Sequence, residues 1–346
     1  MTPLRLDEVA AGLARALPQL CGPGSVASGL QVMQAGHAGL TFGFDCLTPG
    51  LAPRGLILKL APPGVRRLGN TDVYRQAPLL RALHAAGLPV PAVPFASDGE
   101  QDFGVPFIMM ERLAGEPFFV WEPDAAFNLS NESVEPLWRQ TFDAMVALHR
   151  FDWQRHLAHW EVPRRVEDEL LRWDRVLAKS PDPQWLALGQ SVRQRLRDTL
   201  PENLPVGLVH GDCQPGNALF HEGRLTGVID WELSSVGCPW LDVGWMMMLA
   251  DPLSWAPEWT PYCPTPPEAL AARYRQAMGT DAPALTWFQA FAGYRLGAIS
   301  CLNVHLHRSG RRPDALWERF SASVPLLFGR AGQLLDPTPL ITGARA

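Results

Sequence analysis

The spacing of hydrophobic and polar positions divides the chain into a β-rich first third and a helical remainder. Residues 6–17 carry apolar side chains at a period near 3.6, which predicts a short amphipathic helix. Between about residues 28 and 60, short β-prone runs are separated by Gly and Pro, a pattern typical of strands joined by turns. A helix is expected at 72–86, because Gly87 and Pro89 follow it as stop signals.

Beyond about residue 132 the pattern becomes mainly helical. Phe142, Met145 and Val146 lie at i, i+3 and i+4, which indicates one buried helical stripe. One β-prone island, at 207–230, interrupts the helices. Further helical patterns cover 165–179, 184–200, 265–278, 283–307 and 314–328.

Composition narrows the class of protein. The 346 residues are 47% hydrophobic and 19% charged, enough apolar surface for two separate cores. A formal net charge of −5 argues against binding to nucleic acid, since phosphate backbones need a basic face. The six cysteines show no C-x-x-C spacing, and we find neither a signal peptide nor an apolar run long enough to span a membrane. We therefore expect a cytoplasmic protein that acts away from membranes, and the sequence leaves its oligomeric state open.

The strongest chemical signal lies in the β-prone island. Residues 209–217 read Val-His-Gly-Asp-Cys-Gln-Pro-Gly-Asn, and 229–232 read Ile-Asp-Trp-Glu. Asp212 and Asn217 have the Asp-x-x-x-x-Asn spacing of the protein-kinase catalytic loop, where Asp accepts the proton of the acceptor hydroxyl and Asn holds Mg²⁺. Asp230 adds a second hard oxygen ligand. A lone Asp or Asn is more often a turn former, but the joint pattern favours phosphoryl transfer.

These motifs resemble those of the aminoglycoside-phosphotransferase and choline-kinase-like kinases. The continuation through 231–245 is most similar to a subfamily associated with acyl-CoA dehydrogenases, and the resemblance extends over about 25–310. It implies an α+β, protein-kinase-like two-lobed fold. The implied N-terminal nucleotide-binding lobe covers 1–112, and the helical catalytic and acceptor-binding lobe covers 113–346. It also implies Mg²⁺ and ATP, with GTP left open, and a hydroxylated small molecule as acceptor.

The resemblance assigns the reacting groups residue by residue. It makes Asp212 the catalytic base, and Asn217 and Asp230 the metal ligands. His210 and Asp242 match residues that brace the catalytic loop, so we assign them a structural role.

On the nucleotide side, Lys59 matches the lysine that pairs with the phosphates. It is one of only two lysines in an arginine-rich chain, which favours a specific role over an ordinary surface position. The glycine turn that covers the phosphates and the hinge that reads the base correspond to four further positions, Gly36, Gly39, Met110 and Glu111. Hairpin glycines and a core strand entering a turn are the ordinary explanations for these four.

One position departs from the kinase pattern. The lysine normally pairs with a Glu on the following helix, and Gln76 occupies that position. Gln accepts a hydrogen bond but carries no charge, so Gln76 would orient Lys59 without attracting it electrostatically. Pro78, close by, leaves the register of this alignment open. A nucleotide-binding pseudokinase and a module that binds a dehydrogenase are therefore kept as alternatives.

The C-terminal region bears on the acceptor. From residue 251 onward the sequence holds nine arginines against seven acids, together with many aromatic residues. A polycationic aminoglycoside would call for a cluster of carboxylates there. Helix core and a solvated face explain the same residues without any ligand. We expect an apolar or anionic acceptor such as a hydroxyacid or hydroxyacyl compound, and a true aminoglycoside phosphotransferase is the remaining alternative.

Overall fold

The computed structural model describes residues 5–33 and 40–336, and the chain forms two compact units. Unit 1 comprises 1–118, 151–162 and 215–234, and unit 2 comprises 119–150, 163–214 and 235–346. The first unit holds the larger antiparallel sheet and the second holds most of the helices. The predicted α+β division into a β-rich N-terminal region and a helical C-terminal region is confirmed.

Unit 1 is built around a five-stranded antiparallel sheet with strand order β1-β2-β3-β5-β4. A second, three-stranded antiparallel sheet has the order β6-β8-β9. The elements of unit 1 are α1 (Leu6–Leu20), β1 (Val26–Val32), β2 (Leu40–Leu47), β3 (Arg54–Leu60), α2 (Gln76–Ala85), β4 (Phe95–Ser97), β5 (Phe107–Glu111), β6 (Glu116–Pro117), α4 (Trp153–Leu157), β8 (Ala218–His221) and β9 (Arg224–Val228).

Strand β3 is central in the larger sheet, and its side chains are correspondingly apolar. Leu56, Leu58 and Leu60 are fully buried. Lys59 lies between two of them and is paired in register with Thr41 on one side and Ile108 on the other. A lysine this deep in a central strand needs a partner for its charge.

Helix α2 confirms the predicted helix, although it begins later than residue 72. It starts at Gln76, which makes Pro78 its third residue, a position where the missing N–H costs nothing. The chain leaves the helix through Gly87, whose φ of 79° suits only glycine comfortably.

The smaller sheet of unit 1 positions two predicted metal ligands. Asn217 directly precedes β8 and Asp230 follows β9 by two residues. The Ile229 N–H donates to the Asn217 carbonyl across the strand pair at 2.8 Å. Asn217 and Asp230, thirteen positions apart in sequence, are therefore brought to the same end of a β-hairpin.

Unit 2 is mainly helical, and its described residues include a short antiparallel strand pair, β7 with β10. Strand β7 ends directly before His210 of the catalytic-loop motif. The elements of unit 2 are α3 (Asn131–His149), α5 (Val166–Leu177), α6 (Pro183–Asp198), β7 (Gly207–Val209), β10 (Ser235–Gly237), α7 (Trp240–Ala250), α8 (Pro267–Met278), α9 (Leu285–Arg308), α10 (Ala315–Phe320) and α11 (Val324–Leu334).

Helices α7 and α9 form the centre of unit 2 and approach each other closely. A Cβ added at Gly244 would lie 2.3 Å from the carbonyl carbon of Phe288, so only glycine allows this contact between the two backbones. Most of α9 is buried. The polar residues that these helices carry inward are therefore held in a tightly packed environment.

One predicted helix is wrong in its extent. The pattern at 314–328 predicted a single helix, but the structure has α10 and α11 separated by a 3₁₀ turn at Ser321–Ser323. Pro325 is the second residue of α11, where it cannot donate the N–H that a continuous helix would need. In the part of the chain that the structure describes, no helix is both long and apolar enough to cross a membrane.

Candidate functional site

Lys59 of unit 1 is paired with two carboxylates. Its Nζ lies 3.3 Å from Oε2 of Glu232 and 3.6 Å from Oδ1 of Asp230. The Lys59 and Glu232 side chains are only 9% and 10% exposed, whereas that of Asp230 is 35% exposed. Glu232 thus compensates the buried charge, while Asp230 keeps an accessible side on which to bind a ligand.

The turn that carries these two acids has an unusual backbone. Asp230 has φ 63° and ψ 58°, a left-handed conformation that only a few residue types adopt readily. A 3₁₀ turn, Trp231–Leu233, follows at once, and the Trp231 indole donates to the Val228 carbonyl at 2.9 Å. Strained backbone of this kind is concentrated at functional sites.

Arg75 braces the same turn and was not identified from the sequence. Its guanidinium donates to the carbonyls of Glu232 and Ser234, pairs with the Glu161 carboxylate and stacks over the Trp160 ring at 4.9 Å. Most of these partners are backbone carbonyls or lie far away in sequence, so no motif could have revealed them.

Gln76, the first residue of α2, is buried. Among the residues that the structure describes, its amide nitrogen has no hydrogen-bond partner, and Lys59 is paired with Glu232 and Asp230. The carboxylate that accompanies the lysine therefore comes from the Asp-Trp-Glu segment. The proposed contact between Gln76 and Lys59 stays a prediction.

Asn217 and Asp230 together offer an amide oxygen and a carboxylate. Within residues 5–33 and 40–336, no group of three or more His, Cys, Asp and Glu side chains is arranged to hold a metal ion. Mg²⁺ bound with a nucleotide typically uses only one or two carboxylates and completes its shell with phosphate oxygens and water. The donor set therefore fits a metal that arrives with a nucleotide.

The remaining nucleotide-side predictions concern the larger sheet. Met110 and Glu111 end β5, where they pair in register with Ile57 and Leu56, and the Glu111 N–H donates to the Ala92 carbonyl. Gly36 and Gly39 lie outside the described residues. All four assignments stay predictions.

In unit 2, Asp212 is partly exposed on a loop whose geometry is fixed by hydrogen bonds. Gln214 donates from Nε2 to the Asp212 carboxylate at 3.0 Å, and the Asp212 N–H donates to Nδ1 of His210 at 3.2 Å. His210 itself is fully buried. It supports the loop from within, as the sequence led us to expect.

Asp242 on α7 holds the backbone of this loop. Its carboxylate accepts the N–H groups of His210 and Gly211 at 2.7 and 2.8 Å, and it is bonded to His149 Nε2 at 3.2 Å. Burial alone would raise the pKa of the Asp242 carboxyl, but the bonds and charge of His149 and His210 outweigh it and lower that pKa. Gly211 has φ 88°, which explains why the motif has glycine there.

Cys213 follows the predicted base directly, yet it is not suited to nucleophilic chemistry. The side chain is buried, and burial raises the pKa of its thiol well above the ordinary value, with Asp242 and Asp212 adding to the effect. A thiol held in its protonated form is a poor nucleophile. Cys213 is therefore no competitor to Asp212, whose role as the base stays a prediction.

A sequence profile of the phosphotransferase enzyme family matches residues 48–291, more than half of the chain. The chain belongs to this family. It is 28% identical over 207 residues to mouse acyl-CoA dehydrogenase family member 10, covering 56% of this chain and 18% of that protein. It is 30% identical over 241 residues to probable acyl-CoA dehydrogenase IBR3 of Arabidopsis thaliana, covering 64% and 28%. The chain thus spans less than a third of the length of these relatives.

Solved structures show the same fold. A Ralstonia eutropha JMP134 protein assigned to the aminoglycoside phosphotransferases superposes with a TM-score of 0.73 at 19% identity, covering 93% of this chain and 98% of that one. A choline/ethanolamine kinase family protein from Mesorhizobium loti gives 0.58 at 19%, covering 96% and 95%. Aminoglycoside phosphotransferase APH(4)-Ia, as a thermostable mutant in complex with AMP-PNP and hygromycin B, gives 0.58 at 17%, covering 94% and 98%. The predicted protein-kinase-like fold is confirmed.

Proposed function

We propose that this chain is a Mg²⁺- and ATP-dependent phosphotransferase that moves the terminal phosphate onto a hydroxyl of a small molecule. The observation that carries the proposal is the Lys59 ammonium, 3.6 Å from Asp230 and buried beside Glu232. A lysine next to a metal-binding carboxylate is the arrangement that kinases use to hold nucleotide phosphates. Membership of the phosphotransferase family supports the same activity.

Each unit contributes separate groups to the proposed reaction. In unit 1, Lys59 steadies the α and β phosphates, and Asn217 and Asp230 hold the metal. Mg²⁺ bound with the nucleotide would neutralise the negative charge of the phosphoryl group during transfer. Gly36 and Gly39 cover the phosphates, and Met110 and Glu111 contact the base, which leaves GTP open beside ATP. The proposed nucleotide-binding lobe is 1–112 and the catalytic lobe 113–346.

Asp212 is the proposed general base. It accepts the proton of the acceptor hydroxyl, and its carboxylate is oriented by the amide of Gln214. The phosphoryl group passes directly from nucleotide to acceptor, with no covalent intermediate on the protein. Catalysis then rests on positioning and electrostatic stabilisation.

We propose a hydroxyacid or a hydroxyacyl compound as the acceptor. The names of the sequence relatives, which are acyl-CoA dehydrogenases, support an acyl substrate. A second support is that acids of the C-terminal region are already paired with arginines. Asp251 is bonded to Arg330 at 2.7 Å, and Glu318 to Arg308 at 2.7 Å. Carboxylates that already form ion pairs with arginines are poor partners for a polycationic antibiotic.

A phosphorylation screen tests the proposal. Wild type and Asp212→Asn are incubated with Mg²⁺-ATP, and separately with Mg²⁺-GTP, and with a panel of hydroxylated metabolites, and products are detected by mass spectrometry. We expect a phosphorylated product from wild type and a loss of about 10²–10⁴-fold in Asp212→Asn, the usual range for a general base. Nucleotide affinity should stay nearly the same. Wild-type turnover in Asp212→Asn would refute the role of Asp212.

A pseudokinase is the second candidate, and one observation favours it. Gln76 is buried, and the resemblance to kinases assigns it to the position of the paired glutamate. A pseudokinase would bind Mg²⁺-nucleotide without transferring phosphate to any member of the panel. Nucleotide binding measured by calorimetry, in the absence of turnover in the same sample, distinguishes it from the enzyme.

A further inference from the structure

Arg295 places a positive charge in the interior of unit 2. It lies on α9 and is only 7% exposed. Its Nη2 donates to the Gly211 carbonyl at 2.6 Å, across 84 positions of sequence. Its guanidinium carbon lies 4.6 Å from the ring centroid of Trp245 on α7 and 5.0 Å from that of Trp173 on α5. Two indole rings and one loop carbonyl therefore fix the plane of this side chain.

This arrangement costs stability. Burial lowers the pKa of the Arg295 guanidinium, against the opposing charges of Asp212 and Glu169. Among residues 5–33 and 40–336, no carboxylate forms an ion pair with Arg295, and its Nε has no hydrogen-bond partner. An arginine retained for stability is ordinarily paired and fully hydrogen-bonded. The one hydrogen bond of Arg295 among the described residues goes instead to the catalytic loop, at the Gly211 carbonyl next to Asp212.

We propose that Arg295 is a positioning residue for Asp212, and this rests on the proposed function of Asp212 as the base. The loop backbone is held from two helices. Asp242 on α7 accepts the N–H groups of His210 and Gly211, and Arg295 on α9 binds the Gly211 carbonyl. The backbone that leads into Asp212 is thereby held through two of its N–H groups and one of its carbonyls. A base must be held to within a fraction of an ångström, because a displacement of about 1 Å can cost about 10²-fold in rate.

The chain provides a matched control. Arg172 also stacks on the Trp173 ring, at 4.9 Å, and pairs with Glu169 at 3.8 Å. Its side chain is 38% exposed, and within the described part of the chain it makes no hydrogen bond to the catalytic loop. Arg172→Met removes an arginine from the same ring without removing the loop contact. Arg295→Met removes both the stacked arginine and the loop contact, whereas Arg295→Lys keeps the charge and a nitrogen able to donate to the loop.

The experiment compares these three variants with wild type. Turnover is measured as Mg²⁺-ATP hydrolysis, in which water replaces the acceptor hydroxyl, and hydrogen exchange is measured over 207–214. We expect Arg295→Met to lower kcat by about 30–100-fold with the nucleotide KM changed less than about threefold, because the nucleotide groups are untouched. Arg295→Lys should recover part of the rate. Arg172→Met should resemble wild type.

The outcomes separate this inference from the proposed function. If hydrogen exchange over 207–214 is faster in Arg295→Met but not in Arg172→Met, the positioning role is supported. This result does not depend on turnover. If wild type shows no turnover, the proposed function is contradicted and the positioning role is not. Wild-type kcat in Arg295→Met overturns the inference. So does unchanged exchange in that variant, or an equal loss in Arg172→Met. Should Arg295→Met not fold, Arg295→Lys provides the test. A lowered kcat with the wild-type nucleotide KM supports the positioning role. A lowered kcat together with a nucleotide KM raised by the same factor overturns it.

Discussion

Lys59 and Glu232 form an ion pair of 3.3 Å between Nζ and Oε2, and both side chains are about nine-tenths buried. In protein kinases the partner of this lysine is a glutamate on the following helix. Here the helix that follows β3 begins with Gln76, and the carboxylate that pairs with Lys59 comes from the turn that also carries Asp230. The lysine and the proposed metal ligand are thus fixed by one segment, so a change in that segment should affect both.

The first prediction concerns Glu232→Gln. This substitution removes the negative charge closest to Lys59. Among the described residues, Asp230 is then the one remaining ion-pair partner of Lys59. Breaking a buried ion pair is strongly destabilising. Because Asp230 remains, we expect a loss of about 2 kcal/mol in the free energy of unfolding, below the usual range of about 3–5 kcal/mol. Urea denaturation followed by circular dichroism measures it.

The control for this prediction is Glu100→Gln. Glu100 pairs with Arg67 at 2.6 Å in the same unit, but the two side chains are 67% and 41% exposed. Exposed pairs contribute about 0–1 kcal/mol, so this variant should lose less than about 1 kcal/mol. Equal losses in the two variants would mean that the burial of the Lys59 pair does not matter.

The sequence predicted the residues whose chemistry is carried by a local motif. Spacing and residue type predict the loop at 209–217 and Asp230, whereas the rarity of lysine and the kinase resemblance predict Lys59, and the roles of all of them stay predictions. Residues that act through the backbone left no such signal. Arg75 and Arg295 donate to carbonyl oxygens, which every residue possesses, and the carbonyls lie 84 or more positions away for both. Only the folded chain could reveal them.

The helix boundaries show a related limit. Hydrophobic periodicity predicted α5, α6, α8 and α9 to within about two residues at each end. It missed the break at Ser321–Ser323 because the apolar period continues through it. Pro325 was the one residue that could have indicated the break. A proline interrupts the interior of a helix but is tolerated in its first turn, so the sequence did not show which applied.

The second prediction is that Mg²⁺ with nucleotide raises the melting temperature. A ligand that binds only the native state stabilises it by mass action, by about 2.7 kcal/mol at a hundredfold excess over its dissociation constant. Asp230→Ala should lose most of the Mg²⁺-dependent part, because it removes the proposed ligand. Asp98→Ala changes an exposed acid of the same unit and should behave as wild type. A wild type that shows no shift with millimolar ATP or GTP would contradict the assignment of the nucleotide site.

The third prediction concerns Asp242 and pH. The pKa of Asp242 is lower in the folded protein than its ordinary value of 3.8, so its ionised form contributes stability above that pH. As pH falls through the folded pKa, the carboxyl is protonated and this contribution is lost. We therefore expect Asp242→Asn to be less stable than wild type at pH 7, and the difference to shrink below about pH 4. Denaturation curves from pH 7 to pH 3 measure it, and a constant difference across that range would exclude the mechanism.

The last prediction concerns the acceptor. The arginines of the C-terminal region outnumber its acids by nine to seven, and Asp251 and Glu318 are already paired. Kanamycin-type aminoglycosides carry several ammonium groups, whose desolvation needs carboxylates that are free to bind them. We expect kcat/KM for hydroxyacyl compounds to exceed that for these aminoglycosides by at least about tenfold, a difference of about 1.4 kcal/mol in transition-state binding. Steady-state kinetics on both classes, together with a resistance assay in a susceptible host, provide the test. Efficient aminoglycoside phosphorylation with measurable resistance would assign this protein to the antibiotic-modifying enzymes instead.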